Sequence, residues 1–172
     1  MKIEKTLVLI KPDAVERGLV GKVISRFEDR GLRIAALKLL VASSDLATSH
    51  YGDWVDRYAE KLGREKAQGI MDEMVNFLTS GPIIAMAVEG IGAVGVVRKM
   101  IGATYPDEAT AGTIRGDFAH VSQAYANLVG VTVKNIVHAS GSSEEAVVEL
   151  GNWFKADEIF DYQTVHEKHT RH

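Results

Sequence analysis

Residues 82–95 read PIIAMAVEGIGAVG. Two folds compete for these letters. Gly90, Gly92 and Gly95 fit G-x-G-x-x-G, and the apolar run Ile83–Val88 before them has the composition of a buried strand. A strand followed by such glycines is the setting in which the pattern marks a dinucleotide site. That site also needs a following parallel strand, with an acidic residue near its end about 20 residues on. Asp107 and Glu108 lie near that distance, but Thr104-Tyr105-Pro106-Asp107 reads as a turn, and no apolar strand separates it from the glycines. Dinucleotide folds build several βαβ units beyond the fingerprint; here the chain has about one strand left. The stretch is therefore read as the third strand of a small sheet, with its glycines forming the turn into a helix.

Working outward, Thr6–Ile10 is a short apolar strand stopped by Pro12-Asp13. Val20, Val23, Ile24 and Phe27 mark one face of a helix, closed by Gly31. Leu32–Val41 is a second strand, and Ser43–Thr79 is helical, in two or three pieces, up to the Ser80-Gly81-Pro82 break. After the Gly run, residues 91–101 read as a helix, 105–116 as a loop, His120–Leu128 as a helix and Val131–Val137 as a fourth strand. Ser142 and Glu145 form the S-x-x-E capping box of a last helix, to which Val147, Leu150 and Phe154 give an apolar face. The order predicts a β-α-β-β-α-β sheet covered on one face by helices.

A chain of 172 residues fits one domain, 1–172, with no repeat or linker. The net charge of −3 gives no electrostatic argument for nucleic acid or an anionic membrane. No run approaches the ~20 apolar residues of a membrane span. The absence of cysteine removes disulfides, thiol nucleophiles and Cys-ligated metals. A soluble, cytoplasmic protein is the expectation. Gly18-Leu19-Val20-Gly21-Lys22-Val23 hints at a P-loop, but it has too few residues between its glycines and no Ser or Thr after the lysine.

Three stretches are more specific: Ile10-Lys11-Pro12-Asp13, Gly112-Thr113-Ile114-Arg115-Gly116-Asp117-Phe118 and Asn135-Ile136-Val137-His138-Ala139-Ser140. Together with Arg17–Gly21, His50-Tyr51, Ser80–Pro82, Val88–Gly90 and Trp153-Phe154, they resemble the nucleoside diphosphate kinase family over nearly the whole chain. The resemblance implies a ferredoxin-like α+β fold with a four-stranded antiparallel sheet, here with helical insertions at about 52–79 and 119–134. It implies ping-pong transfer of a γ-phosphoryl group from a nucleoside triphosphate to a histidine, then to a nucleoside diphosphate. Mg2+ would come bound to the nucleotide's phosphates and water, with no protein ligand. The family assembles as hexamers or tetramers.

By the same resemblance, His138 matches the phosphorylated histidine, Glu149 the carboxylate near it and Ser140 a hydroxyl of that site. Lys11, Arg98 and Arg115 match cationic phosphate and ribose ligands, Thr104 a hydroxyl donor to phosphate, Tyr51 a phenol near the transferring group and Asn135 a contact to the sugar. These types suit the chemistry. A neutral imidazole carries a lone pair, and a guanidinium fork stays charged on phosphate. His50, His120, His166, His169 and His172 are read as surface or satisfied residues, and Trp153 and Phe154 as core. Tyr58 and Phe77 both remain open as the aromatic that stacks on the base. Gly141 stands where the family usually has an acidic residue. Two other classes stay in play: a catalytically weak nucleotide-binding scaffold of the same fold, and a dinucleotide oxidoreductase.

Overall fold

The computed structural model describes residues 2–170. In chain order the elements are β1 (Ile3–Ile10), α1 (Pro12–Glu16), α2 (Val20–Asp29), β2 (Arg33–Leu40), α3 (Ser44–Tyr51), α4 (Trp54–Leu62), α5 (Arg64–Thr79), β3 (Ile83–Ile91), α6 (Ala93–Ile101), α7 (Ile114–Phe118), α8 (Gln123–Val129), β4 (Val137–Ala139), α9 (Ser143–Trp153) and α10 (Glu167–Thr170). The strands lie in the order β2-β3-β1-β4. Every neighbouring pair is antiparallel, with Ile3 opposite Ile91, Leu9 opposite His138 and Arg33 opposite Glu89. This is the ferredoxin-like arrangement.

The sheet is covered on both faces, not one. Val8, Ile10, Met86 and Val88 pack on Val23 and Phe27 of α2 and on Val97 and Ile101 of α6. The alternate residues Leu7, Leu9, Ala85 and Ala87 pack on Ala47, Leu78, Leu150 and Trp153, from α3, α5 and α9. An unbroken apolar run, without polar alternation, is what burial on two faces requires. Each fully buried branched side chain there contributes roughly 1.5–3 kcal/mol.

The opening glycines serve this packing. Gly92 has φ +61 and turns the chain from β3 into α6. A Cβ on Gly90 would come within 2.5 Å of Leu32 Cδ2. The amide of Val94 at the start of α6 donates to the Glu4 carboxylate, 3.3 Å away. Both strands beside β3 run antiparallel to it. A dinucleotide site, which needs a parallel neighbour and an open helix start for the pyrophosphate, is excluded.

Four other expectations change. The segment expected to be helical up to Thr79 is three helices, but the fourth strand shrinks to Val137–Ala139. Ile136 has φ +71, and Val137 N–H donates to Asn135 O at 2.7 Å, a γ-turn of the positive-φ kind that an extended strand cannot contain. Such strain in a β-branched residue costs of order 1–3 kcal/mol and must be held from outside. The Asp13 carboxylate holds it by accepting from Ile136 N–H at 3.1 Å, and Ile136 O accepts from Lys11 N–H at 2.8 Å. Part of the expected loop is helical, since Thr113 caps α7 through Gly116 N–H. The capping box of α9 is half formed: Ser142 Oγ accepts from Glu145 N–H, but the Glu145 carboxylate takes the amide of Gly141 instead of Ser142. Val147 is exposed, because the buried stripe of α9 is Ala146, Glu149, Leu150 and Trp153.

Candidate active site

At the carboxyl end of β1, a cleft of about 790 Å3 opens between β4, α9 and the helices of the first insertion. Lys11, Tyr51, Arg98, Thr104, Arg115, Asn135, His138 and Glu149 all line it. Ser140 lies behind, fully buried.

One wall hangs on β4. His138 is placed by its pairing with Leu9, and its side chain is 25% exposed to the cleft. Its Nε2 lies 3.0 Å from Glu149 Oε1. A carboxylate accepts, so Nε2 carries the proton and Nδ1 keeps the lone pair. Ser140 Oγ donates to Glu149 Oε2 at 2.5 Å and accepts from Leu7 N–H at 3.2 Å, which ties the carboxylate to the central strand. Burial raises the Glu149 carboxyl above the usual range, against the pull of His50 and the Ser140 hydroxyl. Burial and then the charges of Lys11, Arg115 and Arg98 hold His138 far below the ordinary imidazole range. That favours the neutral ring, the form able to act as a nucleophile. Glu149, which taken alone reads as an exposed helix residue, is buried.

His50, read as a surface or satisfied residue, is satisfied, and it stands beside His138. It is buried at the end of α3, its ring edge-to-face with that of His138 at 4.5 Å between centroids. Its Nδ1 accepts from Trp153 Nε1 at 3.3 Å and lies 3.7 Å from Glu149 Oε1. Burial chiefly, then His138, holds its pKa well down. Its one signal in the sequence is its place beside Tyr51. Trp153 is core as expected, but it is also the donor to His50. His120, His166 and His169 are exposed, while His172 lies outside the described residues.

The other wall carries cations. Lys11 Nζ donates to Asn135 Oδ1 at 2.8 Å, and Asn135 Nδ2 donates to Thr104 O at 2.9 Å. Burial, with Arg115 nearby, pushes Lys11 down to about 8. Arg115 is buried and gives Nε to Asn135 O, Nη1 to Gly102 O and Ala103 O, and Nη2 to Val137 O. Of the guanidinium's five N–H groups, a single one on Nη2 stays uncommitted. Arg98 is exposed, reaching Ala139 O at 3.4 Å. The Tyr51 hydroxyl lies 3.5 Å from Met74 O, and burial raises its pKa.

Of the two open aromatics, Tyr58 lines the cleft, stacked on Trp54 at 4.6 Å. Phe77 lies beneath the Lys11 ammonium at 5.7 Å. Trp54 was not anticipated. The two insertions meet where Thr132 Oγ1 donates to Glu73 Oε2 at 3.3 Å. At Gly141, Glu145 Oε2 accepts the backbone N–H at 2.9 Å and lies 2.7 Å from where a Cβ would stand. This puts a carboxylate beside a position where the family usually carries one.

Comparison with known proteins agrees with this geometry. The chain matches the family profile described as nucleoside diphosphate kinase over residues 4–159. It is 48% identical to a nucleoside diphosphate kinase of Pyrococcus abyssi over 92% of this chain and 89% of that one. It is 41% identical to one from Borreliella burgdorferi, over 95% and 94%. A solved structure of the Borrelia burgdorferi enzyme, described as a transition-state mimic with bound vanadate and ADP, superposes with a TM-score of 0.90 at 38% identity, covering 98% of this chain and 96% of that one. An NDP kinase structure from Pyrobaculum aerophilum gives 0.86 at 38% identity, covering 93% and 100%.

Proposed function

This chain belongs to the nucleoside diphosphate kinase family, and on that premise we propose that His138 Nδ1 is the atom that carries the phosphoryl group. The observation that carries this reading is the His138–Glu149–Ser140 relay, facing a cleft whose opposite wall is cationic. In the first half-reaction the Nδ1 lone pair attacks the γ-phosphorus. An N–P bond forms, the bond to the β,γ-bridging oxygen breaks, and the diphosphate leaves. Nε2 keeps its proton throughout, and the Glu149 carboxylate balances the positive charge that the ring acquires. In the second half, a terminal phosphate oxygen of the incoming diphosphate attacks, the N–P bond breaks and the ring returns to neutral.

Phosphoryl transfer is chiefly positioning and charge stabilisation. Lys11 and Arg98 are suited to phosphate oxygens, Arg115 offers its remaining N–H, Thr104 and Tyr51 offer hydroxyls, and Asn135 holds Lys11 beside the sugar's position. The Trp54–Tyr58 stack is suited to a base. Mg2+ prefers oxygen ligands in an octahedral shell. His50, His138 and Glu149 cluster closely enough to hold an ion, but they offer two imidazoles already hydrogen-bonded, His138 to Glu149 and His50 to Trp153. A nucleotide-borne Mg2+, held by phosphates and water, fits better and supplies charge neutralisation. Exposed Leu37 and Leu39 on edge strand β2, with Val41 just beyond it, support self-association into a hexamer or tetramer. No helix among the described residues is long and apolar enough to cross a membrane. The nucleotide substrates are in keeping with a cytoplasmic place of work.

The test uses ATP labelled at the γ-phosphate, with magnesium, on wild type and His138→Ala. The expected result is an acid-labile, base-stable label on wild type, chased onto a nucleoside diphosphate, and none on the variant, which still binds nucleotide. Folded wild type that takes no label would instead support the scaffold reading.

A further inference from the structure

We infer that Trp153 and His50 are positioning residues for the transfer: the Trp153 indole N–H holds His50 with Nδ1 as acceptor, leaving Glu149 to His138. The inference rests on His138 being the nucleophile.

The geometry is a contest for one oxygen. Glu149 Oε1 accepts from His138 Nε2 at 3.0 Å, and His50 Nδ1 lies 3.7 Å from the same atom. A proton on His50 Nδ1, in the cation or in the other neutral tautomer, would aim a second donor at Oε1. His138 would then lose the partner that fixes which of its nitrogens carries the lone pair. The Trp153 N–H occupies Nδ1 at 3.3 Å. Two N–H groups cannot meet at one nitrogen, so the indole excludes the competing form. It also leaves His50 as a neutral ring set edge-on to His138 at 4.5 Å, a favoured aromatic geometry that holds the nucleophile's ring plane.

The fold supplies every part of this arrangement from a different element. His50 lies in the last turn of α3, Trp153 and Glu149 sit one turn apart on α9, and His138 lies on β4. The titratable groups facing His50 are Tyr51 on its own helix, His138, Glu149 and Lys11. Of these, Glu149 favours a proton on His50, while Lys11 and His138 oppose it. Lone hydrogen bonds of core histidines are common. What singles this one out is that its loss would release a competitor and not merely leave a vacancy.

The test compares Trp153→Phe, His50→Phe and the double variant with wild type, reading kcat, KM and the pH profile of transfer. Trp153→Phe is expected to lower kcat about tenfold at neutral pH and more below it, with KM nearly unchanged. The acid limb of its profile should move upward. The double variant removes both polar partners while keeping two rings, a change that can be nearly neutral. It should be several-fold faster than Trp153→Phe and regain the wild-type acid limb. A purely packing role would instead make the double variant slower than either single one. That result, or a wild-type pH profile in Trp153→Phe, would overturn the inference. Should Trp153→Phe fail to fold, a benzothiophene analogue at position 153 keeps the indole's shape without its donor and gives the same reading. A wild type that takes no label on His138 would remove the premise, and the inference with it.

Discussion

On one wall of the cleft, His138, Glu149 and Ser140 bond to one another's side chains, and His50 bonds to Trp153. On the other, Arg115, Arg98 and Asn135 spend their donors on backbone carbonyls, and Lys11 leans on Asn135. The first wall decides where protons sit. The second gathers positive charge and, in the same bonds, fastens the 102–104 and 135–137 segments. Side-chain relays are open to single-atom change without loss of fold, whereas cations anchored to carbonyls couple catalysis to stability.

The largest effect that would break this contrast is at Arg115. Arg115→Ala removes a ligand and orphans several carbonyls, so kcat/KM should fall by about a thousandfold and stability by about 2–4 kcal/mol in a denaturant melt. Unchanged stability would show that the anchoring is incidental. Next, Glu149→Gln keeps an acceptor for His138 but removes the charge that balances the ring. It should lower kcat about 100-fold. Because burial disfavours the ionised Glu149 in the folded state, the variant should be at least as stable as wild type at pH 7. A large loss of stability would erase the distinction between the walls. The smallest effect is a pH dependence at Lys11, held near 8 against 10.5 unfolded. Above about pH 8 the cation is lost, so kcat/KM should fall by up to about tenfold per pH unit. Stability should move the opposite way. The folded pKa lies below the unfolded one, so the protonated ammonium opposes folding, and stability rises as pH climbs from about 8 towards 10.5. Parallel changes in both would place the ionisation elsewhere.

Much of this molecule was legible in its sequence, where the signal is local. The strands announced themselves as apolar runs, and Pro12, Gly31 and Ser80–Pro82 punctuated them. Even the coverage of both sheet faces was written in the unbroken run Leu7–Ile10, though it was read as one-sided. The family motifs gathered a set of residues that do converge on one cleft. What escaped depends on partners far along the chain. The fourth strand starts only after Ile136, because a carboxylate at Asp13, 123 residues away in sequence, holds that residue's strained amide. His50 looks like any core histidine until Trp153, 103 residues on, is seen to donate to it. Glu145 was given to Ser142 by spacing, but it serves Gly141, whose missing side chain leaves the room.

The central place of β1 has a consequence for how the protein is made. Of the four strands it leaves the ribosome first, yet its sheet neighbours are residues 83–91 and 137–139. The nascent chain must carry a largely apolar segment with one sheet edge unpaired until residues 137–139 have been synthesised, which exposes it to aggregation and to chaperones meanwhile. The late pieces that close the sheet, β4 and α9, also deliver His138, Glu149 and Trp153. A truncated product therefore lacks its completed sheet and the histidine proposed as nucleophile together, so synthesis cannot release a stable fragment that already carries the whole site.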